Sequence, residues 1–241
     1  MHKPVSELKI KLFADGADKD GMLEMSRKPY IKGFTTNPTL MRKAGVVDYA
    51  AFAKDILSSI KEHPVSFEVF SDEFNEMERQ ARIINAWAPN VFVKIPITNT
   101  KKESTADLVK KLTSEGIKVN VTAILSLNQV KKIMPALNPN VPSVVSVFAG
   151  RIADTGRDPM PLMTEAKKLT DQNPKAELLW ASPRELLNVF QAEAIRCDII
   201  TATNDILKKL EKVGYDLDEF SLDTVKMFYE DGQKVGYKLY E

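Results

Sequence analysis

The 241-residue sequence has little of what several classes of protein depend on. Its single cysteine, Cys197, excludes an internal disulfide and indicates a reducing compartment, so we expect a cytoplasmic protein. Cys197 lies in the apolar run Ile195–Ile200, which favours a buried structural thiol over a nucleophile. The N-terminus lacks the apolar segment of a signal peptide, and no apolar run is long enough to cross a bilayer.

Histidine, glycine-rich motifs and excess charge are scarce as well. Neither His2 nor His63, the two histidines, belongs to a cluster of metal ligands, so we expect neither a metal site nor a Ser-His-Asp site. No phosphate-binding loop of the form G-x-G-x-x-G or G-x-x-x-x-G-K-[ST] occurs. Lys and Arg total 34 against 33 Asp and Glu, and the resulting net charge of +1 favours neither nucleic acid nor a membrane as a partner.

Short β-branched runs alternate with longer amphipathic stretches along the chain. The runs are bounded by turn residues and are too short for buried helices, which predicts strands at Ile10–Ala14, Gly33–Thr36, Val65–Phe70, Val91–Ile97, Lys118–Ile124, Ser143–Ala149, Ala176–Ala181 and Ile195–Thr201. Helical patterns occur at Asp18–Arg27, Tyr49–Lys61, Asp72–Trp87, Lys102–Ser114, Leu127–Leu137, Pro161–Asp171, Pro183–Ala192 and Asn204–Lys212.

Strict alternation of strands and helices implies a parallel sheet with helical crossovers. Eight such units in about 250 residues are typical of a closed (β/α)₈ TIM barrel. We therefore predict a single catalytic barrel domain over residues 1–241. An open doubly wound sheet is the alternative, but that fold normally begins with a glycine-rich loop. The last segment, Phe220–Glu241, has Leu222, Val225 and Tyr229 at helical spacing, which predicts a C-terminal helix.

Alternation of side chains within the strands points to a functional site. In Val91–Ile97 the valines and isoleucines share one face, and Phe92, Lys94 and Pro96 share the other. Thr35 and Asn37 likewise share a face. Burying many polar groups costs free energy unless each has a partner, so their recurrence near the C-terminal strand ends favours a site there. The polar residues at these positions are Asp15, Asn37, Glu68, Lys94, Asn120, Thr122, Ser146 and Ser182.

Lys94 is the most informative of these residues, because lysine is rare in the middle of an apolar strand. One interpretation is a lysine whose ammonium group extends to water. The other is an amine nucleophile, since a dry site favours the neutral amine that attacks a carbonyl. Glu68 and Asp15 are then proton-transfer groups, although either could be the structural ion-pair partner of Lys94. Thr122 and Asn120 could simply satisfy backbone groups.

An anion site is predicted after the sixth and seventh strands. Arg151 follows one, and Ser182 and Arg184 follow the other, with Pro183 suited to the first position of a helix. Arginine, serine and a helix N-terminus together suit a phosphate group, and barrels often bind phosphate in this region. A simple N-cap is the alternative role for Ser182.

Seven motifs in these strands resemble those of the transaldolase family. They occur in family order and include all predicted strands but the last. TTNP and VKIP are the most specific of them. The motifs are LFADGAD (12–18), GFTTNPTL (33–40), SFEVF (66–70), VFVKIPIT (91–98), VNVTAIL (119–125), VSVFAGRI (145–152) and WASPREL (180–186).

The resemblance implies a reaction and a role for each site residue. Lys94 matches the lysine that forms a Schiff base with a ketose phosphate, and Asp15 matches the acid/base group for cleavage of the carbon–carbon bond. Glu68 and Thr122 match the groups that activate and hold the catalytic water. The protonated imine takes up the electrons, so neither a metal nor an organic cofactor is implied. The predicted substrate-binding residues are Thr35, Asn37, Asn120, Ser146, Phe148, Arg151, Ser182 and Arg184.

The family also contains aldolases that release free dihydroxyacetone, and in that branch Gln and Tyr typically occupy the positions of Glu68 and Phe148. The residues present here favour transfer to an aldose phosphate, although the chain is as short as those aldolases. A non-catalytic sugar-phosphate-binding barrel is a further alternative. In short relatives the C-terminal helix reaches over a barrel mouth, sometimes that of a neighbouring subunit, and we expect a homo-oligomer. A helix packed on its own barrel is the alternative.

Overall fold

Eight parallel strands close into a barrel in the computed structural model, which describes residues 4–240. Each strand pairs with the next, and the eighth pairs with the first, with Leu12 opposite Ile200. The strands β1 to β8 are Lys11–Asp15, Ile31–Thr35, Val65–Glu68, Val91–Pro96, Val119–Ile124, Ser143–Val147, Ala176–Trp180 and Ile199–Ala202.

Helices connect the strands and surround the barrel. Short polar side chains start several of them: Asp18, Asp48 and Ser126 each accept a hydrogen bond from a backbone N–H of the first turn. The helices α1 to α11 are Lys19–Ser26, Pro38–Lys43, Tyr49–Ser59, Phe74–Asn85, Ala106–Ser114, Leu127–Ile133, Ala149–Ala153, Met160–Thr170, Leu187–Ala194, Asn204–Lys208 and Leu217–Val235. Single 3₁₀ turns lie at Val5–Glu7, Met134–Ala136 and Lys209–Lys212.

The predicted TIM barrel with a C-terminal helix is confirmed, with corrections at several element ends. β8 begins at Ile199, because Ile195 ends α9 and Arg196 takes a left-handed turn with φ 59°. α9 begins at Leu187 rather than at Pro183. The short helices α2 and α7 were missed, since each is one turn long and follows its strand directly. Among residues 4–240, no helix is long and apolar enough to span a membrane.

The barrel separates two apolar layers. Outward side chains of the strands pack under the helices in one large core, which includes Val93, Val121 and Trp180. Inward side chains form a second, small apolar cluster inside the barrel, made of Phe13, Val144, Leu179, Ala181 and Ile199. Functional sites of such barrels lie at the C-terminal ends of the strands.

Gly150 brings together two loops at the open end. Its N–H donates to the carbonyl oxygen of Ala181 at 3.3 Å. A Cβ atom on Gly150 would lie 1.6 Å from the carbonyl oxygen of Ser182 and 2.6 Å from its carbonyl carbon. Backbone cannot yield as a flexible side chain can, so only glycine lets the loop after β6 approach the loop after β7.

Gly150→Ala is therefore expected to destabilise the protein. Overpacking of this kind costs about 1–3 kcal/mol or more, so the melting temperature should fall by several degrees. The matched control is Gly232→Ala in α11, where an added Cβ meets no atom within 4 Å among the described residues. That change should be neutral or stabilising by up to about 1 kcal/mol. Equal melting temperatures for the two variants would contradict the close approach at Gly150.

Candidate active site

A cavity of about 540 Å³ opens at the C-terminal ends of the strands. Eleven of the twelve site residues predicted from the sequence line it, and only Asn120 does not. The structure therefore brings these predicted residues together in one cavity, while their roles stay predictions. The eleven lining residues are Asp15, Thr35, Asn37, Glu68, Lys94, Thr122, Ser146, Phe148, Arg151, Ser182 and Arg184.

Lys94 lies inside the barrel with only 5% of its surface exposed, so the interpretation of an ammonium group extended to water is wrong. Its Nζ is 3.0 Å from Oε2 of Glu68 and donates to the carbonyl oxygen of Thr36 at 2.7 Å. Lys94 and Glu68 are direct neighbours in the register of β4 and β3, which explains the pairing of their side chains. The buried amine thus faces a carboxylate inside the barrel.

Asp15 is the second carboxyl group in the cavity. Burial raises its pKa above the ordinary range of an aspartate, against the opposing effects of the Lys94 charge and a hydrogen bond from Thr35. Oγ1 of Thr35 donates to Oδ1 of Asp15 at 2.8 Å and lies 2.5 Å from Oγ1 of Thr201. A raised pKa favours the protonated form of a carboxyl group, and a group that can both hold and release a proton suits acid/base chemistry.

Thr122 and Ser146 contribute hydroxyl groups to the wall. Oγ1 of Thr122 is buried and lacks a hydrogen-bond partner among residues 4–240, which is unusual for a buried hydroxyl group. The register of β5 and β6 shifts between Val121 and Ile124, and Ala123 has φ 61°, so a bulge follows Thr122 at the cavity. The unpaired hydroxyl is therefore available to a ligand or a water molecule.

Two amides predicted to bind substrate have partners within the protein. Asn120 lies below the cavity floor, where its Nδ2 donates to Oγ of Ser66 and its Oδ1 accepts from Oγ of Ser146. It can orient Ser146 but does not line the cavity. Oδ1 of Asn37 accepts from the N–H of Leu40 and caps α2, so the Nδ2 group is what Asn37 can offer to a ligand.

The predicted anion site of Arg151, Ser182 and Arg184 lacks the helix that was predicted to begin at Pro183. Ser182 does not directly precede a helix, and Pro183 is not at a helical first position, because α9 begins only at Leu187. Ser182 also shares the outward phase of Leu178 and Trp180, but a left-handed backbone turn, with φ 57°, brings it to the cavity. Such a conformation is uncommon for a residue other than glycine and is often found at functional sites.

Arg151 and Arg184 provide the positive charge at this site. The guanidinium group of Arg151 lies 5.4 Å from the ring centroid of Phe148. Arg184 pairs with Asp154 through two hydrogen bonds, one of them from Nε at 2.8 Å, and its Nη1 donates to the carbonyl oxygen of Ser182. The pair lowers the pKa of Asp154 and raises that of Arg184. Asp154 therefore fixes the direction of one of the two cationic groups.

Thr201 is a cavity residue that the sequence analysis missed. It lies on β8, the one strand without a recognised motif, and is 5% exposed. Alternation within β8 could have identified it, because Thr201 shares the inward phase of Ile199. Lys43, on α2, is a second lining residue outside the prediction, and its position depends on a helix that was not predicted.

The remaining predictions concern residues away from the cavity. Cys197 is buried, its Sγ donates to the carbonyl oxygen of Leu178, and burial raises its pKa to about 12, which confirms a structural thiol. His63 is half-buried, with its ring 5.8 Å from that of Phe34, and His2 lies outside the described residues. Over residues 4–240, no group of three or more His, Cys, Asp or Glu side chains could hold a metal ion.

Fold and cavity together define a (β/α)₈ barrel in which a buried lysine, two carboxyl groups and two arginines converge at the mouth. A profile of the Transaldolase/Fructose-6-phosphate aldolase family matches residues 12–239. A probable transaldolase of Brucella ovis is 35% identical over 231 residues, which cover 95% of this chain and 100% of that protein. A probable transaldolase 2 of Listeria monocytogenes is 37% identical over 202 residues, or 83% and 88% of the two chains. The chain belongs to the transaldolase/fructose-6-phosphate aldolase family.

Similar solved structures support the barrel alone. KGPDC from Streptococcus mutans matches with a TM-score of 0.54 at 10% identity, over 84% of this chain and 90% of that one. A mutant mandelate oxidase matches with a TM-score of 0.56 at 13% identity, over 90% and 75%. At such low identity the likeness describes the fold and carries nothing about activity.

Asp15→Asn should change the pH dependence of stability. The folded state binds the Asp15 proton more tightly than the unfolded state, because burial raises the pKa. The tighter proton binding stabilises the folded state fully below pH 3.8, the ordinary pKa of an aspartate. This stabilisation is lost as the pH rises through the raised pKa of the folded state. Since Asn does not ionise, the variant should gain stability relative to wild type across this window. Melting temperatures between about pH 4 and pH 8 measure the effect.

Asp72→Asn is the control, because the pKa of Asp72 is shifted in the direction opposite to that of Asp15. Hydrogen bonds from Thr100 lower the pKa of Asp72, so wild type should lose stability relative to this variant only as the pH falls below 3.8. A stability difference between Asp15→Asn and wild type that stays constant with pH would contradict the buried carboxyl group.

Proposed function

We propose that this protein is a transaldolase that transfers a dihydroxyacetone unit from a ketose phosphate to an aldose phosphate through a Schiff base on Lys94. The observation that carries the proposal is the placement of the Lys94 amine, 5% exposed, beside Glu68 and in the same cavity as Asp15. Membership of the family supports a transaldolase-type enzyme. Fructose 6-phosphate and sedoheptulose 7-phosphate are suitable donors to test.

In the proposed reaction the neutral amine of Lys94 adds to the C2 carbonyl of the donor, and loss of water gives the protonated imine. Asp15 takes the proton from the C4 hydroxyl group while the C3–C4 bond breaks. The electron pair moves to the imine and forms an enamine, and the aldose phosphate leaves. The enamine then attacks the aldehyde of the acceptor, and water hydrolyses the new imine. Glu68 activates this water and Thr122 holds it.

Substrate binding follows from the remaining groups of the cavity. Arg151, Arg184 and Ser182 lie on one side of the mouth and suit the phosphate group of either substrate. Ser146 and Thr35, which are buried, and Asn37, which is half-buried at the start of α2, also line the cavity and suit the hydroxyl groups of the donor. Asn120 is better placed to orient Ser146 than to touch substrate. The proposal needs no cofactor and treats residues 1–241 as one catalytic domain acting in the cytoplasm, in carbohydrate metabolism such as the pentose phosphate pathway.

Reduction with borohydride in the presence of fructose 6-phosphate should attach a dihydroxyacetone-derived mass to Lys94. Peptide mapping by mass spectrometry locates the modification. Lys118 is the internal control: burial lowers its pKa, but it lies at the other end of β5, where its Nζ meets the carbonyl oxygen of Pro89. Active protein with an unmodified Lys94 would rule out the Schiff base.

The same incubation separates the two activities of the family. Transfer predicts that consumption of fructose 6-phosphate depends on an added aldose phosphate, while release of free dihydroxyacetone without an acceptor indicates the aldolase. Glu68 and Phe148 favour transfer. Tight binding of the sugar phosphate with neither turnover nor imine would instead favour a binding barrel.

We also propose that the chain assembles with copies of itself through α11. No residue in the described helix Leu217–Val235 is buried, so packing on its own barrel does not account for its apolar side chains. Exposed apolar surface of this extent is typical of an interface. Its apolar residues, each at least 40% exposed, are Leu217, Phe220, Leu222, Val225, Met227, Phe228, Tyr229 and Val235.

Light scattering after size exclusion tests this assembly. Wild type should be larger than a monomer, and Val225→Glu combined with Phe228→Glu should reduce the mass to that of one chain. Lys226→Glu, within the same helix, introduces the same residue type without removing apolar surface and should leave the mass unchanged. A monomeric wild type at micromolar concentration would exclude the proposed interface.

A further inference from the structure

The pairing of β2 with β3 ends at Ser66, two residues before Glu68. The N–H of Phe34 donates to the carbonyl oxygen of Pro64 at 2.9 Å, and the N–H of Thr36 donates to the carbonyl oxygen of Ser66 at 3.1 Å. In the same register, the Glu68 N–H would next donate to the carbonyl oxygen of Thr36, and the Glu68 carbonyl would accept from the N–H of residue 38.

Neither of these hydrogen bonds can form here. Residue 38 is proline and has no N–H, and the chain turns away from the barrel there into α2. The carbonyl oxygen of Thr36 instead accepts a hydrogen bond from Nζ of Lys94 at 2.7 Å. The backbone of Glu68 therefore needs other partners at the end of β3, because unpaired polar backbone groups away from water are costly.

The hydroxyl group of Tyr49 supplies both partners. It accepts from the Glu68 N–H at 2.8 Å and donates to the Glu68 carbonyl oxygen at 3.0 Å. One side-chain oxygen thus replaces the missing continuation of β2. The Thr36 carbonyl oxygen can therefore accept the hydrogen bond from Lys94. The backbone of Glu68 is held by the side chain of Tyr49 instead of by β2.

The position of Tyr49 is itself well supported. It is the first residue of α3, whose N-terminus is capped by Asp48. Its ring packs against Phe67, Phe70 and Trp87, with centroid distances of 6.3, 5.5 and 6.0 Å. Burial raises the pKa of the phenol, so the hydroxyl group keeps the proton that it donates to Glu68.

We infer that Tyr49 is a positioning residue for the reaction: its hydroxyl group fixes the backbone of Glu68 so that the carboxylate stays 3.0 Å from Nζ of Lys94. This inference rests on the proposed function. Tyr49 is not among the residues that line the cavity, so it would act through Glu68.

Tyr49→Phe tests the inference, since it removes the hydroxyl group and keeps the ring. We expect kcat for transfer to fall by about tenfold or more, because small displacements of a reacting group are costly. KM for the ketose phosphate should change by less than about twofold, since the binding groups are untouched. Hydrogen exchange at the Glu68 amide should become faster. Tyr30→Phe, a half-buried tyrosine near the N-terminal end of β2, is the matched control and should change none of these values.

A double-mutant cycle with Glu68→Ala separates positioning from general destabilisation. If Tyr49 acts through the Glu68 carboxylate, Tyr49→Phe should cause no further loss of turnover in the Glu68→Ala background. The same fractional loss in both backgrounds, or an unchanged exchange rate at the Glu68 amide, overturns the inference. Failure of the proposed function looks different: wild type then shows neither turnover nor a trapped imine, while the exchange measurement still decides whether Tyr49 anchors Glu68.

Discussion

The contact between the Lys94 amine and the Glu68 carboxylate is the interaction on which the site depends. Removing two charged groups from water is costly, and the cost is offset only where geometry and further hydrogen bonds are good. Here the amine also donates to the carbonyl oxygen of Thr36, and the backbone of Glu68 is held by Tyr49. The buried pair is thus supported by Thr36, which follows β2, and by Tyr49 on α3.

The barrel can bury such a pair because its interior contains both an apolar cluster and a polar cavity. Phe13, Val144 and Leu179 belong to the apolar cluster, which stabilises the closed sheet. Above them, the inward positions of successive strands carry polar groups that meet at a single cavity. These groups contact one another across strands: Thr35 reaches Asp15 on the adjacent β1 and Thr201 on β8, one strand further round the barrel. Reactive side chains can be buried together there without disturbing the outer core.

The features that could be predicted from the sequence are those that depend on the periodicity of apolar and polar residues. A period of two within each strand assigned Lys94, Glu68, Thr122 and Ser146 to the inward face, and strict βα alternation predicted the barrel. Features set by tertiary contacts were not accessible in this way. The left-handed turn at Ser182 and its contact with Gly150 depend on two loops distant in sequence. The role of Tyr49 depends on where β2 ends, which the predicted strand Gly33–Thr36 placed one residue late.

A crystal structure of the protein soaked with fructose 6-phosphate would show whether the proposed Schiff base forms. We expect continuous density from Nζ of Lys94 to C2 of the sugar, with the phosphate group at Arg151 and Arg184. Sugar bound elsewhere, or bound in the cavity while Lys94 keeps its contacts with Glu68 and Thr36 and forms no bond to it, would refute the Schiff base.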